Sequence, residues 1–236
     1  MSDTPFFGEL YLRSTRPFLS EGITAREQAF LREQLGEAGP VLDLGCGHGR
    51  HLAGRGSLEV VGVDGDPLSL EEAKAFAPVA RADLRALPFR DGVFGAAWCW
   101  YNTLGTFDEA ELPRLLAGLA RCVRPGGRLL LQGSHPQRAI DQPVAGYDGP
   151  LADGSHLKEE ARYSPERRRD EIRRSLTLPG GRVMAASFFI RYCDLDEWRL
   201  LLAQAGFEVQ WWMGGIDGSP LEVTSPDVIV GAQKRG

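Results

Sequence analysis

The feature that most constrains the fold is the stretch Val41–His51, where a short apolar strand runs directly into closely spaced glycines, Gly45, Gly47 and Gly49. Without a Cβ atom, the backbone there can approach a bound ligand closely. Asp43 lies within the strand, and Asp64 ends the next strand-like run. A carboxylate at the end of that second strand can accept hydrogen bonds from ribose hydroxyls. The stretch therefore predicts a nucleotide-type cofactor loop.

Strand-like and helix-like segments alternate five times between residues 40 and 133, which predicts an α/β fold. Such alternation implies right-handed crossovers and a parallel sheet that binds its ligands at the carboxyl ends of the strands. Before this region, residues 5–22 are aromatic-rich and are expected to be irregular. Thr24 and Glu27 match a capping box, which predicts a helix from there to about Gly36.

The pattern changes after Ser134. Residues 136–154 are rich in Pro, Gly and Asp and are predicted to be loop, and three strand-like runs follow at about 156–163, 170–178 and 182–192. They predict a small antiparallel β insertion, after which come a helix that begins near Asp194 and a final antiparallel hairpin. We expect one domain with four parts: N-terminal lid and helix (1–39), cofactor-binding core (40–133), β insertion (134–192), and C-terminal helix and hairpin (193–236).

Composition narrows the class of protein. The 236 residues carry a net charge of −5, which argues against a general nucleic-acid binder, because neutralising phosphates needs a basic face. We expect no membrane span, and the N-terminus lacks a secretory pattern, so a cytoplasmic protein is predicted. The four cysteines form no C-x-x-C pair, and His48 and His51 have no third ligand nearby, so no metal site is predicted. Oligomeric state is left open.

Five segments, in the expected order, resemble the class I S-adenosylmethionine-dependent methyltransferases: 41–50, 62–64, 82–89, 119–127 and 201–209. The resemblance implies a Rossmann-like, doubly wound sheet of seven strands whose last strand is antiparallel, and S-adenosyl-L-methionine as cofactor. The run Tyr101–Phe107 and the β insertion resemble a small-molecule branch of this family. They imply methyl transfer to a small-molecule nitrogen or oxygen nucleophile, with the insertion covering the acceptor site.

The resemblance also implies residue roles. Asp43 and Gly45 would lie near the methionine end, Asp64 would hold the ribose hydroxyls, and Asp83 would accept from the adenine amino group beside the Leu84 amide. An aromatic face at Trp100 could stabilise the sulfonium by about 0.5–2 kcal/mol, although such a ring equally often packs in the core. The full implied set of cofactor-binding residues is Asp43, Gly45, Cys46, Gly47, Asp64, Gly65, Asp83, Leu84 and Trp100.

Methyl transfer of this kind is a direct displacement, so the main task of the protein is to align the nucleophile and exclude water. A base is needed only when the nucleophile must lose a proton. His135 is the first candidate, followed by Tyr11 and Tyr101, although a lone loop histidine is more often structural or solvated. The charged run 158–174 has seven positive and five negative residues, which favours a solvated face over an RNA or acidic-acceptor site.

Two rival functions fit parts of the pattern. A nicotinamide-dependent oxidoreductase also uses a glycine loop, but its G-x-G-x-x-G fingerprint would need glycine where Arg50 stands. A catalytically silent domain that binds the cofactor as a sensor or scaffold would keep the same cofactor residues. An enzyme would release S-adenosylhomocysteine when an acceptor is supplied, whereas a silent binding domain would not.

Overall fold

In a computed structural model, residues 5–36, 38–141 and 146–236 are described, so positions 142–145 of the predicted loop lie outside the described residues. The helices are α1 (Glu9–Thr15), α2 (Glu21–Leu35), α3 (Pro67–Ala73), α4 (Leu112–Cys122), α5 (Pro136–Asp141) and α6 (Leu195–Gln204). The strands are β1 (Val41–Leu44), β2 (Val60–Asp64), β3 (Val79–Arg81), β4 (Phe94–Cys99), β5 (Val123–Ser134), β6 (Tyr147–Pro150), β7 (His156–Ser164), β8 (Arg169–Thr177), β9 (Val183–Arg191), β10 (Phe207–Met213) and β11 (Asp227–Lys234).

The main sheet has seven strands in the order β10-β11-β5-β4-β1-β2-β3. Strands β1 to β5 pair in parallel, whereas β11 is antiparallel to both β5 and β10, as the resemblance implied. Every residue of β1 and β4 is buried, because α2 and α3 cover one face of the sheet and α4 and α6 cover the other. The predicted Rossmann-like α/β fold is confirmed.

The second sheet is antiparallel, in the order β6-β7-β8-β9. The sequence predicted only three of these strands: β6 and the short helix α5 fall in the stretch that was expected to be loop. The four residues of β6 are held by backbone pairing with His156–Glu159, at the edge of the sheet. A strand this short, made of Tyr, Asp, Gly and Pro, depends on that long-range pairing rather than on its own preferences.

The N-terminal segment is more regular than expected, because residues 9–15 form α1. Leu10 of α1 is fully buried against Leu157, Leu176 and Met184 of the second sheet, and this packing stabilises the short helix. The capping-box prediction was wrong. The helix begins earlier, with Ser20 as its cap, whose Oγ accepts from the Ile23 amide at 3.4 Å.

Helix α1 is also fastened to the second sheet by polar contacts. Arg174 of β8 donates from Nη1 to the hydroxyls of Ser14 (3.0 Å) and Thr15 (2.7 Å). The ring of Phe6 stacks on that of Phe188, with centroids 3.6 Å apart. The N-terminal segment therefore packs on one face of the second sheet, its inner face.

The charged run of the second sheet forms ion pairs, both within the run and with Asp194 at the cap of α6. Arg174 pairs with Glu159, Arg169 with Glu171, and Arg168 with Asp194.

In the described part of the chain, none of the helices has the length and apolar character that a membrane crossing requires.

Candidate active site

The predicted site residues line up along the carboxyl edge of the main sheet. Asp83 follows β3, Asp64 ends β2, Gly45 follows β1, Tyr101 follows β4, and His135 follows β5. Since these strands are neighbours in the order β3, β2, β1, β4, β5, the residues form a row across the edge. Parallel α/β sheets bind their ligands at this edge.

The three glycines of the loop have positive φ angles, but they differ in what surrounds them. A Cβ at Gly45 would lie 2.5 Å from Thr103 Cγ2, and one at Gly49 would lie 2.8 Å from the Cα of Ala73. A Cβ at Gly47 would meet nothing within 4 Å. Gly45 and Gly49 are therefore required by packing, whereas Gly47 borders open space that suits a bound cofactor.

These different surroundings predict that alanine at Gly47 mainly weakens ligand binding, whereas alanine at Gly49 mainly destabilises the fold. We expect Gly47→Ala to cost only about 1–2 kcal/mol of folding free energy, for its left-handed φ, yet to weaken S-adenosylhomocysteine binding at least about 10-fold by filling the open space. Gly49→Ala should cost about 3 kcal/mol, because the new methyl group also overlaps the Ala73 backbone. Urea denaturation and titration calorimetry measure both effects. Unchanged binding by Gly47→Ala would contradict this placement of the ligand.

Asp64 organises the loop. Its Oδ2 accepts from the Gly47 amide and its Oδ1 from the Asp66 amide, both at 2.9 Å. Burial raises the pKa of Asp64, and these backbone bonds partly counteract that rise. Each carboxylate oxygen keeps a further lone pair, so Asp64 can hold the loop and still accept from a ligand.

Asp43 is buried at the base of the loop, and its Oδ2 has no hydrogen-bond partner among the described residues. Burial raises the pKa of this carboxyl to about 7. A buried acceptor without a partner costs folding free energy, so it marks a place where a ligand can supply a donor. The unpaired Oδ2 of Asp43 and the open space at Gly47 therefore fit a cofactor that carries hydrogen-bond donors.

Asp83 and Leu84 lie at the far end of the row. The exposed carboxylate of Asp83 accepts from Arg85 Nε (2.9 Å) and Nη2 (2.7 Å), and these bonds hold its pKa at about 2. Leu84 is buried in the apolar core. An adenine amino group would therefore share Asp83 with a guanidinium from the same chain, a partner that the sequence analysis did not identify.

Trp100 belongs to the core rather than to an open pocket. It is 3% exposed, its Nε1 donates to Glu27 Oε1 at 3.2 Å, and its ring packs against Phe30 with centroids 5.9 Å apart. Of the two roles that the sequence left open for this ring, the structure favours packing.

Glu27, which the sequence analysis placed in a helix cap, is instead the centre of a buried network. Its Oε2 accepts from Arg50 Nη1 and from His51 Nε2 (3.1 Å), while Oε1 accepts from Trp100. Burial alone would raise the pKa of Glu27, but the bonds from His51 and Arg50 outweigh it and lower the pKa. Glu27 lies three residues before Phe30, which is buried, and residues at this spacing lie on the same face of a helix. The spacing was therefore a signal that Glu27 points inward.

The turn after β4 is held in a strained conformation. Tyr101 and Asn102 both have left-handed backbone, with φ of 59° and 58°. Such residues cost about 1–3 kcal/mol each and persist only where the surroundings enforce them. Here the Tyr101 amide donates to Gln132 Oε1 (2.6 Å), and the Asn102 side chain exchanges two hydrogen bonds with Ser134. Strand β5 therefore fixes the position of Tyr101.

Tyr11 of α1 joins the same site. Burial, together with the neighbouring Tyr101 and Asp64, whose charged forms disfavour a phenolate, raises the pKa of Tyr11 to about 12. A Cβ at Gly8 would lie 3.5 Å from Asp66 Oδ1, beside the glycine loop. The structure thus places Tyr11 near Tyr101 and the start of α1 beside the glycine loop.

His135 is buried at the end of β5. Its Nδ1 accepts from the Gln137 amide at 3.1 Å, and burial lowers its pKa, so the ring is neutral at pH 7. A neutral imidazole that accepts at Nδ1 carries its proton on Nε2. In this geometry His135 presents a donor rather than a base, which weakens its predicted role in proton abstraction.

No metal centre accompanies these residues: across 5–36, 38–141 and 146–236, no three His, Cys, Asp or Glu side chains are grouped so that they could hold an ion.

Comparison with known proteins agrees with this geometry. Residues 41–127 match the family described as "Methyltransferase domain". No curated protein matches the sequence significantly.

Among solved structures, the CcbJ methyltransferase from Streptomyces caelestis superposes with a TM-score of 0.81 at 19% identity, over 100% of both chains. CalS10 from Micromonospora echinaspora, described as an amino pentose methyltransferase with bound S-adenosylmethionine, has a TM-score of 0.67 at 21% identity, over 99% of this chain and 100% of its own. KedS8 from Streptoalloteichus sp., described as a sugar N-methyltransferase, gives 0.69 at 21%, over 100% and 98%. The chain thus has the fold of the class I S-adenosylmethionine-dependent methyltransferases and carries a methyltransferase domain at residues 41–127.

Proposed function

We propose that this enzyme transfers a methyl group from S-adenosylmethionine to the nitrogen of a small-molecule amine, with a hydroxyl oxygen as the less favoured acceptor. The observation that carries the preference for nitrogen is that all three candidate bases hold their protons at neutral pH. Tyr11 has a pKa of about 12, burial raises the pKa of Tyr101, and His135 carries its proton on Nε2.

An amine and a hydroxyl differ in what they need from the protein. A neutral amine already has the lone pair that forms the new bond, and its extra proton can leave to water afterwards. A hydroxyl must lose its proton during the reaction, which requires a positioned base. Without such a base, the site suits an amine.

The cofactor is proposed to lie along the row of strand ends, and when bound it supplies an electrophilic methyl group. Asp83 and Leu84 hold the adenine, Asp64 and Gly65 hold the ribose, and Asp43 with Gly45, Cys46 and Gly47 contacts the methionine end. In this arrangement the β4 turn, with Tyr101, lies at the methyl end. Trp100, the residue before Tyr101, anchors this turn to α2, because its Nε1 donates to Glu27.

The acceptor is proposed to occupy the space between Tyr11, Tyr101, His135 and the inner face of the second sheet. The turn Thr103–Thr106, which follows Tyr101, packs against the end of β9: a Cβ at Gly105 would lie 2.8 Å from the Arg191 carbonyl oxygen. Tyr11, Tyr101 and His135 would then orient the acceptor through hydrogen bonds and exclude water. In this proposal the β insertion, residues 134–192, covers the acceptor site.

Proteins of similar fold support this acceptor class. CalS10 is described as acting on an amino pentose, KedS8 as a sugar N-methyltransferase, and MtfA as a glycopeptide N-methyltransferase. The four cysteines are all unpaired and buried, which suits the reducing cytoplasm where we propose the enzyme works.

The test is release of S-adenosylhomocysteine from matched acceptors, such as amino sugars and the corresponding sugars with a hydroxyl at the same carbon. We expect turnover with the amines, with a rate that rises with pH through the pKa of the acceptor amine. The variant His135→Gln should keep this profile and lose less than about 10-fold in rate, since loss of a true general base costs about 100-fold or more.

Three results would contradict the proposal. Turnover of the hydroxyl compounds alone would reverse the preference for nitrogen. A loss of 100-fold or more in His135→Gln would restore His135 as the base. Tight cofactor binding without methylation of any acceptor would instead support the silent binding domain.

A further inference from the structure

Strand β9 (Val183–Arg191) forms one long edge of the second sheet. Its nine residues pair in regular register with β8, and no other strand of the described structure lies on its far side. Its charged residue is Arg191, at the very end, and it contains no proline. Proteins commonly protect such an edge, because its free N–H and C=O groups readily pair with another strand.

The other edges of the two sheets carry the protection that β9 lacks. Strand β3 has three residues, and β6 has four, of which the last is Pro150. The pairing of β10 with β11 shifts register between Val209 and Trp211, so β10 carries an extra residue there, as in a β-bulge. Short strands, proline and bulges all discourage pairing with another chain. Strand β9 is therefore the unprotected edge among the described strands.

Hydrogen bonding at the β8–β9 turn shows which backbone groups of β9 face outward. The Leu178 amide donates to the Arg182 carbonyl oxygen at 2.9 Å, so these two residues form a hydrogen-bonded pair. Such pairs alternate along antiparallel strands, so every second residue of β9 points its N–H and C=O groups away from β8. These residues are Val183, Ala185, Ser187 and Phe189. Within the described parts of the chain, none of the four makes a backbone hydrogen bond on that side.

The far end of β9 is already covered. The turn Thr103–Thr106 packs there, since a Cβ at Gly105 would lie 2.8 Å from the Arg191 carbonyl oxygen. The free edge thus extends over residues 183–189, with Ala186 at its centre. A two-fold axis at Ala186 would place residue 183 opposite residue 189 of a second copy, and residue 185 opposite residue 187, so that every outward-facing backbone group is paired.

This register also matches the side chains of β9 to one another. Val183 is 41% exposed and would pack against Phe189 of the second copy, a favourable cross-strand combination of β-branched and aromatic side chains. Ala185 would face Ser187, and both are small. The charged residues of β8 would lie three strand spacings, about 14 Å, from β8 of the second copy, further than the Debye length of about 8 Å. The edge is therefore complementary to itself.

We propose that two copies of this chain pair β9 with β9, antiparallel, about a two-fold axis at Ala186. Their four-stranded sheets then form one continuous sheet of eight strands. Contacts of this isologous, two-fold kind are the commonest in homo-oligomers. The proposal concerns assembly, and it depends neither on the acceptor nor on the placement of the cofactor.

Sedimentation velocity of the full chain gives the dimer dissociation constant of the wild type, Ser187→Pro and the matched control Ser187→Ala. Both variants lose the hydroxyl that accepts from Arg173 Nη1 at 3.5 Å, but proline also lacks the N–H directed at the second copy. Since that N–H does not serve β8, Ser187→Pro should keep the β8–β9 pairing. We expect Ser187→Pro to weaken dimerisation at least about 100-fold, because the two-fold axis imposes the loss twice, and Ser187→Ala to weaken it less than about 3-fold.

A second variant, Val183→Lys, tests the same contact without proline. It replaces the apolar contact with Phe189 by a charge at the edge and should weaken dimerisation at least about 10-fold. Leu200→Lys is its control, because Leu200 is 58% exposed on α6, outside the second sheet. This control should dimerise as the wild type does.

A distance measurement tests the register without any change in β9. A nitroxide attached at Thr177→Cys, an exposed position opposite Val183, should lie about 25 Å from its copy, six residues along the strands and three strand spacings across. The four native cysteines are buried, so the label goes to the new one.

The proposal would be overturned by a wild type that stays monomeric at about 100 μM. It would also be overturned by a dimer that both Ser187→Pro and Val183→Lys leave intact. A label distance outside about 20–30 Å would exclude this register and the two-fold axis at Ala186.

Discussion

Replacing Asp64 by alanine should weaken S-adenosylhomocysteine binding about 100-fold, which is among the largest effects expected of any single change. A carboxylate that accepts from two ribose hydroxyls contributes about 1.5–3 kcal/mol per bond, and every 1.4 kcal/mol corresponds to a factor of ten. The Gly47 and Asp66 amides would also lose their common acceptor. Asp64→Asn keeps one acceptor oxygen without the charge and should lose about 10-fold.

A ligand without the ribose 2′-hydroxyl separates these two causes. If Asp64 binds the ribose, Asp64→Ala should bind the 2′-deoxy ligand and the parent with nearly equal affinity, whereas the wild type should prefer the parent. Asp196→Ala is the control, because that side chain is 92% exposed and pairs with Arg199 of the same helix. Binding by Asp64→Ala at wild-type strength would refute the ribose assignment.

Glu27→Ala should destabilise the fold by about 3–5 kcal/mol, the usual cost of leaving one partner of a buried ion pair alone. The change removes the acceptor of Arg50, His51 and Trp100 at once. Glu27→Gln keeps one acceptor oxygen and should cost less. Urea denaturation at pH 7 measures both values. Glu33→Ala on the exposed side of the same helix is the control and should stay within about 0.5 kcal/mol of the wild type.

The contribution of Glu27 should also depend on pH. Its pKa is lower in the folded protein than the ordinary value of 4.5. The folded state therefore favours the charged form, so the stabilisation is complete above pH 4.5 and is lost as pH falls through the lower, folded value. Between pH 5 and pH 3 the wild type should lose more stability than Glu27→Gln does. Parallel pH curves for the two proteins would show that the charge of Glu27 contributes nothing.

The parts of the fold that the sequence predicted are those set by local pattern. The loop around Gly45, Gly47 and Gly49 could be identified because positive φ angles require glycine. The strands β1, β2 and β4 could be identified because buried parallel strands appear as continuous apolar runs. Asp66 caps α3, and this cap is also a local signal, since its carboxylate and the following Pro67 act within one turn.

The parts that the sequence missed depend on partners far along the chain. Helix α1 forms because Leu10 packs on residues about 150 positions away, a contact without local signal. Glu27 has the spacing of a capping box with Thr24, but its bonds to Arg50 and Trp100 hold it inside the helix on the buried face. The pairing of Arg85 with the Asp83 carboxylate is a local exception: the two residues are only two positions apart, but the pair was missed because only the side-chain geometry reveals it.

The insertion of β11 between β5 and β10 also constrains how the protein folds. Strand β10 is at the edge of the sheet, and in the described structure its only strand partner is β11. Strand β11 in turn pairs with β5 through residues about 100 positions apart, such as Gly231 and Leu130, and closing so long a loop is slow. Although β10 comes first along the chain, it has no place in the sheet until β11 has paired with β5. We therefore expect this edge, the one furthest from Asp83, to be the last part of the sheet to form.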